Sequence, residues 1–352
     1  MAMLIAEGMG RERILITEPI ARVGVDLLRR ELPEARIDER FGLEPAQLRA
    51  LIGEYSVLIV RSETRVTDDL LAAAPHLKVI GRAGTGINNI DLDAAFRRGV
   101  LVVHAPRGNV VAVAEHTMAL MLALVRHLPV ATASLKAGRW EKHSFVGVEL
   151  AHKTLGILGL GRIGREVARL AQAFAMQVLA SDPMLSAEQA RSVGVMLLGK
   201  EETLRQADIV TLHVAPAGDM HALHPILGAR ELALLKPGAF LVNCARGGLI
   251  DEAALLEALE QGRVAGAALD VFSQEPIAGD PVLRRLLSHE RVLATPHLGA
   301  STAEAQARVA LEVVRHVVAA LRGDTLVGGL PPTYPLTRPA SSGQAQGLLP
   351  EH

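Results

Sequence analysis

From Arg13 onward, short apolar runs alternate with amphipathic stretches, and the alternation predicts the architecture. Strands are expected at Ile14–Thr17, Val57–Arg61, Lys78–Gly81 and Leu101–His104, with helices at Ala21–Glu31, Pro45–Gly53, Thr67–Ala74 and Asp91–Arg98 between them. Thr67 and Asp91 have short oxygen-bearing side chains that accept from the free N–H groups of a first helical turn, and Pro45 suits such a turn because it has no N–H to lose. Val110–Val125 is apolar all round apart from the interruption Glu115-His116-Thr117, so it is expected to be buried at a domain or subunit contact. After a looser basic and aromatic stretch, Lys136–Leu150, strands are expected again at Ile209–Val214, Ala239–Ala245, Val264–Val271 and Val292–Thr295, with a helix at Asp251–Gln261. The last helix, about Thr302–Leu321, is long enough to return across the first domain. Strands that alternate with helices imply parallel sheets covered on both faces. The expected fold is therefore α/β, two doubly wound parallel-sheet domains with a cleft between them.

The segment 154–182 organises the rest. An apolar strand from Thr154 runs into Gly159-Leu160-Gly161-Arg162-Ile163-Gly164, a helical pattern follows to about Met176, and a second strand, Gln177–Asp182, ends on a carboxylate. The three glycines serve different ends. Gly159 permits the tight turn, Gly161 the close approach of a pyrophosphate, and Gly164 the packing of helix on strand. The pyrophosphate is expected on the free N–H groups at the start of the helix near Arg162. Asp182 is placed to accept from a ribose diol and would repel a 2′-phosphate, and Pro183 stands where an arginine could have neutralised it. The expected cofactor is NAD rather than NADP.

Composition narrows the class. The 352 residues are 49% hydrophobic and 21% charged, enough for two domains and a large core. Lys+Arg 37 against Asp+Glu 38, with no long charge block, points to neither nucleic acid nor an anionic membrane as partner. One cysteine excludes an intrachain disulfide and suits a reducing compartment. The leader 1–12 lacks the pattern of a secretory signal, Val110–Val125 is too short to span a bilayer, and the expected location is the cytoplasm. The Pro-, Gly- and Ser-rich segment 324–352 reads as an extended or disordered tail.

Three further strand ends carry polar residues in otherwise apolar runs: Asn243-Cys244-Ala245-Arg246, Asp270 through Glu275, and Thr295-Pro296-His297. In an open α/β sheet the carboxyl ends of the strands form the ligand crevice, so these groups should converge beside a nicotinamide. Reduction of a carbonyl by a bound hydride donor needs a cation that grips carboxylate and carbonyl together, which Arg246 supplies. It also needs a proton donor, His297, and a carboxylate beside it to fix the tautomer, Glu275. Gly84-Thr85-Gly86 can offer backbone N–H groups to an anion, Ala83 and Gly84 are counted among the substrate-binding positions, and Arg61 and Lys142 are cations suited to a phosphate.

These motifs resemble the NAD-dependent D-isomer-specific 2-hydroxyacid dehydrogenases, almost continuously from Ile14 to Gly323. The resemblance is carried by Val60-Arg61-Ser62, Gly81 through Gly86, Ala114-Glu115-His116-Thr117, the Gly159–Gly164 loop, Asn243 through Gly248, and Pro296 through Thr302. It implies a catalytic set of Arg246, Glu275 and His297, and contacts to NAD from Thr85, Arg162, Ile163, Asp182, Val214, Cys244, Asp270 and Ala300. It implies substrate contacts from Arg61, Ser62 and Asn109, with Trp140 and Lys142 on an arm that reaches the neighbouring cleft of a homodimer. It also implies that residues 106–298 form a Rossmann-type cofactor domain inserted in a flavodoxin-like substrate domain built from 13–105 and 299–323. Within the family the motifs favour oxidation of D-3-phosphoglycerate to 3-phosphohydroxypyruvate. Another small 2-hydroxy acid, such as hydroxypyruvate, glyoxylate or a sulfonate analogue, is the alternative. An NAD(H)-sensing corepressor is a remoter one, disfavoured by the Arg61-Ser62 and Gly81–Gly86 sequences.

Several positions depart from the family pattern. Asn88-Asn89 replaces Asp-Asn, and Val214 replaces a threonine, which removes one hydroxyl from the cofactor side. The segment 217–226 adds His221 and His224. With His213 these could suggest a metal, but no cysteine or carboxylate completes a familiar spacing, so no metal is expected. Cys244 has no adjacent histidine and is expected to be a packed contact rather than a nucleophile. The sequence stops short of a C-terminal regulatory domain, so no inhibition by serine is expected.

Overall fold

The computed structural model describes residues 12–214, 225–277 and 279–324. The leader, nearly all of the tail, and most of the 217–226 segment with His221 and His224 lie outside these.

The first sheet is made of β1 (Arg13–Ile16), β2 (Arg36–Glu39), β3 (Val57–Val60), β4 (Val79–Arg82) and β5 (Leu101–His104), in the order β2-β1-β3-β4-β5. The second is made of β6 (Thr154–Leu158), β7 (Gln177–Ser181), β8 (Met196–Leu197), β9 (Ile209–Leu212), β10 (Ala239–Asn243), β11 (Val264–Leu269) and β12 (Val292–Ala294), in the order β12-β11-β10-β9-β6-β7-β8. Every pairing is parallel. Central strands such as β3 and β9 are buried at every position, which explains why their sequences are unbroken apolar runs rather than alternating ones. Edge strand β2, Arg-Ile-Asp-Glu, has no such run, and its absence from the sequence reading follows from that.

Thr67 and Asp91 cap their helices, accepting from Leu70 N–H and Ala94 N–H. The closing helix, Ala303–Arg322, lies against helix Arg22–Glu31 and strands β4 and β5 of the first sheet. It sits so close that a Cβ on Gly81 would fall 2.7 Å from Val317 Cγ2. The chain therefore leaves the first lobe after β5 and comes back to it after β12.

Helix Val110–Val125 corrects one expectation. Its buried side chains, among them Val113, Met118, Met121 and Leu124, belong to the core under the second sheet, with helix Arg162–Ala173 as the main neighbour. It is apolar on most faces because sheet and helix enclose it within one lobe, not because it lies at a domain contact. Among the described residues no single helix is long and apolar enough to cross a membrane.

Candidate active site

Parallel strands present their carboxyl ends along one edge, and most of the polar groups singled out above follow such an end. After β6, Gly159 has φ 93°, a backbone state that favours glycine, and a Cβ there would fall 2.8 Å from the His213 carbonyl group and Val214 N. Gly161 is the N-cap of helix Arg162–Ala173. It has no side-chain cap, and nothing lies within 4 Å of where its Cβ would be. A Cβ on Gly164 would lie 2.2 Å from the Gly159 carbonyl oxygen. An uncapped helix start beside open space fits a dinucleotide pyrophosphate. Arg162 is exposed there, Ile163 is half-buried against the core, and Val214 packs on the second core of this lobe. Asp182 follows β7; its two oxygens accept from Leu160 N–H and Met184 N–H, both at 2.9 Å. The carboxylate thus knits the glycine turn, and each oxygen keeps a lone pair for a ribose hydroxyl.

The loops after β10, β11 and β12 bring together the residues expected to act as acid and base. His297 Nδ1 is 2.6 Å from Glu275 Oε2, while Glu275 Oε1 accepts from Phe272 N–H at 2.9 Å. The imidazole is half exposed, and its other nitrogen has no hydrogen-bond partner among the described residues. His297 takes the left-handed φ of 54°, and its N–H donates to the Asp270 carbonyl at 2.9 Å. Asn243 folds the next turn, accepting from Ala245 N–H and donating to the Arg246 carbonyl. The Arg246 guanidinium then spans the cleft, since a Cβ on Gly86 of the first lobe would fall 2.7 Å from its Nη2.

Asp270 is 1% exposed, and its carboxylate is fully engaged. It accepts from Thr295 Oγ1 at 2.6 Å, Leu298 N–H at 2.7 Å and Gly299 N–H at 2.8 Å, with His116 Nε2 at 3.2 Å. Burial alone would raise its pKa; these hydrogen bonds hold it below the ordinary carboxylate value. Its side chain therefore serves the turn that carries His297, and Ala300 is half-buried just beyond that turn. Cys244 lies in the core beside Thr117, where burial pushes its thiol up to about 12, the state of a packed contact and not a nucleophile.

On the first lobe, Thr85 Oγ1 donates to Asn109 Oδ1 at 2.7 Å, and the Thr85 carbonyl meets His104 Nδ1 at 2.9 Å. Ala83 is buried, its N–H bonded to the Val60 carbonyl. Arg82 folds back over Gly84, so that a Cβ on Gly84 would clash with its guanidinium. Its pKa is lowered to about 10, first by burial and then by the like charge of Arg246, with Glu18 opposing and Arg61 adding. Arg61, Arg82 and Arg246 thus form one positive cluster, with Glu18 as counter-charge to Arg82 and Glu275 as counter-charge to Arg246. Ser62 is exposed beside it.

Two expected residues are not brought to this cluster within the chain. Trp140 is 80% exposed, and Lys142 is exposed in a short helical turn with no hydrogen bond to any cleft residue. The sequence reading missed Glu18, Arg82, Asn89 and His116 as site residues. Arg82 ends an apolar strand and Glu18 follows one, the same signal that marks Arg246; Asn89 and His116 have no such signal. Among the described residues no cluster of His, Cys, Asp and Glu is suited to a metal ion.

The family model described as D-isomer specific 2-hydroxyacid dehydrogenase, NAD binding domain, matches residues 118–299. The chain is 46% identical over 311 residues to a D-3-phosphoglycerate dehydrogenase of Bacillus subtilis, covering 88% of this chain and 57% of that protein. It spans little more than half the length of such curated relatives. Among solved structures, the TT0316 protein of Thermus thermophilus superposes with TM-score 0.81 at 32% identity, covering 90% of this chain and 99% of that one. The D-lactate dehydrogenase of Aquifex aeolicus, complexed with NAD and lactic acid, superposes with TM-score 0.78 at 28% identity over 89% and 96%.

Proposed function

Since the chain belongs to the D-isomer-specific 2-hydroxyacid dehydrogenase family, we propose that it oxidises D-3-phosphoglycerate to 3-phosphohydroxypyruvate with NAD, the opening step of serine synthesis. One observation carries the reading: the His297–Glu275 pair and Arg246 face a first-lobe wall that holds two further arginines, Arg61 and Arg82. A carboxylate and a phosphate on one small molecule need that much positive charge. The names of the relatives agree with it.

In this reading Arg246 pairs with the substrate carboxylate and sets the orientation of C2. With Glu275 ionised, Nδ1 of His297 keeps its proton, and the opposite ring nitrogen takes the proton of the C2 hydroxyl. Glu275 then faces the imidazolium so formed and stabilises it. Bound NAD would accept the hydride from C2. In the reverse direction His297 returns the proton to the carbonyl oxygen. Thr85, Asn109 and the Gly84–Gly86 backbone would line the substrate side, and Gly159 through Gly164 with Asp182 the cofactor side. Residues 13–105 with 299–323 act as the substrate lobe and 106–298 as the NAD lobe.

We place the enzyme in the cytoplasm as a homodimer. Leu128, Leu135, Trp140 and Val146 are each more than half exposed around one arm, a surface that a second copy would cover. Trp140 and Lys142 would then serve the partner's cleft.

The test is NADH oxidation with 3-phosphohydroxypyruvate, hydroxypyruvate, glyoxylate and sulfopyruvate. A kcat/KM preference of about a hundredfold for the phosphorylated acid, roughly 2.7 kcal/mol, is expected. A flat profile, or one led by an unphosphorylated acid, would keep the chemistry and discard the serine pathway.

A further inference from the structure

The loop Arg61–Thr64, just after β3, carries the cation assigned above to the substrate phosphate, and the inference rests on that assignment. Its backbone is held by side chains distant in sequence. On the N–H side, Glu18 Oε1 accepts from Arg61 at 2.8 Å and Thr64 at 3.0 Å, and Oε2 accepts from Glu63 at 3.0 Å. On the carbonyl side, Asn89 Nδ2 donates to Arg61 O at 2.8 Å and Thr64 O at 2.7 Å. Thr17 Oγ1 adds a contact to Thr64 Oγ1 at 2.8 Å. Glu18 is 6% exposed, so its three bonds are charge-assisted and sheltered from water.

Converging backbone N–H groups are the usual way a loop captures an outside anion. Here the chain's own carboxylate takes the N–H groups of Arg61, Glu63 and Thr64, and the Arg61 side chain is left to meet the ligand. Arg61 Nη1 donates to the carbonyl of Pro19, the residue next to Glu18, at 3.3 Å. The same short segment therefore fixes both the backbone and the head group of Arg61, and the remaining guanidinium donors have no partner among the described residues.

We propose that Glu18 and Asn89 are the specificity-determining clamp of this cleft: they touch no substrate, but they hold Arg61 where a phosphate on C3, two carbons from the carboxylate carbon, can reach it. A preformed cation loses little freedom on binding, whereas a loose one must be ordered at the expense of affinity. Glu18 also keeps the guanidinium groups of Arg61 and Arg82 from facing each other without a counter-charge.

The experiment measures NADH oxidation by wild type, Glu18→Gln, Asn89→Ala and Arg61→Ala with 3-phosphohydroxypyruvate and with hydroxypyruvate. Glutamine keeps the size of Glu18 but turns one acceptor into a donor aimed at an N–H. Each clamp variant should raise KM for the phosphorylated acid about tenfold more than KM for hydroxypyruvate, with kcat on the two acids falling in parallel or not at all. Asn89→Ala disturbs only the carbonyl side, and it decides the matter if Glu18→Gln does not fold. Clamp variants that alter both KM values equally, or neither, while Arg61→Ala abolishes the preference, overturn the clamp alone. A wild type indifferent to the phosphate, with Arg61→Ala equally indifferent, overturns the phosphate assignment and the clamp with it.

Discussion

In the first lobe Glu18 gathers the N–H groups of Arg61, Glu63 and Thr64; in the second Asp270 gathers those of Leu298 and Gly299, the Thr295 hydroxyl and the His116 ring. Both carboxylates are buried, which by itself would raise their pKa values, yet the hydrogen bonds outweigh burial and hold both below the ordinary range. The surroundings differ. The three main-chain donors to Glu18 come from one loop, and its charged neighbours are arginines that face the cleft. The donors to Asp270 come from the end of β12, from the turn beyond it and from a core helix, so the His297 turn is locked whether or not a substrate is present. Proton transfer needs a fixed distance, whereas selection of a dianion needs cations not yet neutralised. On the proposed function, each lobe would supply one of these.

Removing the chemistry from the second lobe should have the largest effect. His297→Ala is expected to lower kcat roughly a thousandfold, with NADH still bound as followed by its fluorescence. A loss under tenfold would mean that the first lobe supplies the proton, and the division of labour would fail.

Next comes stability. Asp270→Ala leaves two buried N–H groups and the His116 and Thr295 side chains without their shared acceptor, and should cost about 3 kcal/mol in urea unfolding. Glu18→Ala, whose loop lies nearer solvent, should cost about half as much. Equal losses would erase the distinction between a locked turn and a clamped one.

A smaller effect should appear on acidification. Because both carboxylates have folded-state pKa values below the ordinary 4.5 of glutamate and 3.8 of aspartate, their contribution is complete above those values and is lost as pH falls through the lower folded ones. Urea midpoints measured from pH 6 to pH 3 should decline in wild type and decline less in Asp270→Ala. Parallel curves for the two would show that Asp270 carries no linked proton.

The smallest effect tests the packing of the second lobe. With its thiol pushed up to about 12, Cys244 should resist iodoacetamide at pH 8 in the native protein and react once unfolded in urea. Prompt native labelling would show that the core beside Asp270 opens.

Much of this was readable in the linear pattern. Gly159, Gly161 and Gly164 carry their reasons in local backbone sterics, and Arg246, Glu275 and His297 each stand out as polar residues just past an apolar strand. Glu18 also stands just past an apolar strand, but neither it nor His116 shows its partner locally. Glu18 meets Arg61 across 43 residues and His116 meets Asp270 across 154, and no periodicity encodes a partner at such a distance. Asp270 was legible as a strand-end carboxylate, yet its use inside the protein was not, because that depends on four donors drawn from three places.

By itself the sequence determined what short-range physics can determine: the alternation that makes parallel sheets, the caps at Thr67 and Asp91, the glycine turn, and the residue types of an acid–base site. Only the tertiary structure decided which of these meet. The strand order sets β1 beside β3 and β3 beside β4, and parallel strands end on the same edge. Glu18, Arg61 and Arg82, each at or just after one of those ends, therefore come together in space. The same geometry in the second sheet gathers Arg246, Asp270 and His297 after β10, β11 and β12, and the closing helix, returning to the first sheet, ties the two edges into one cleft.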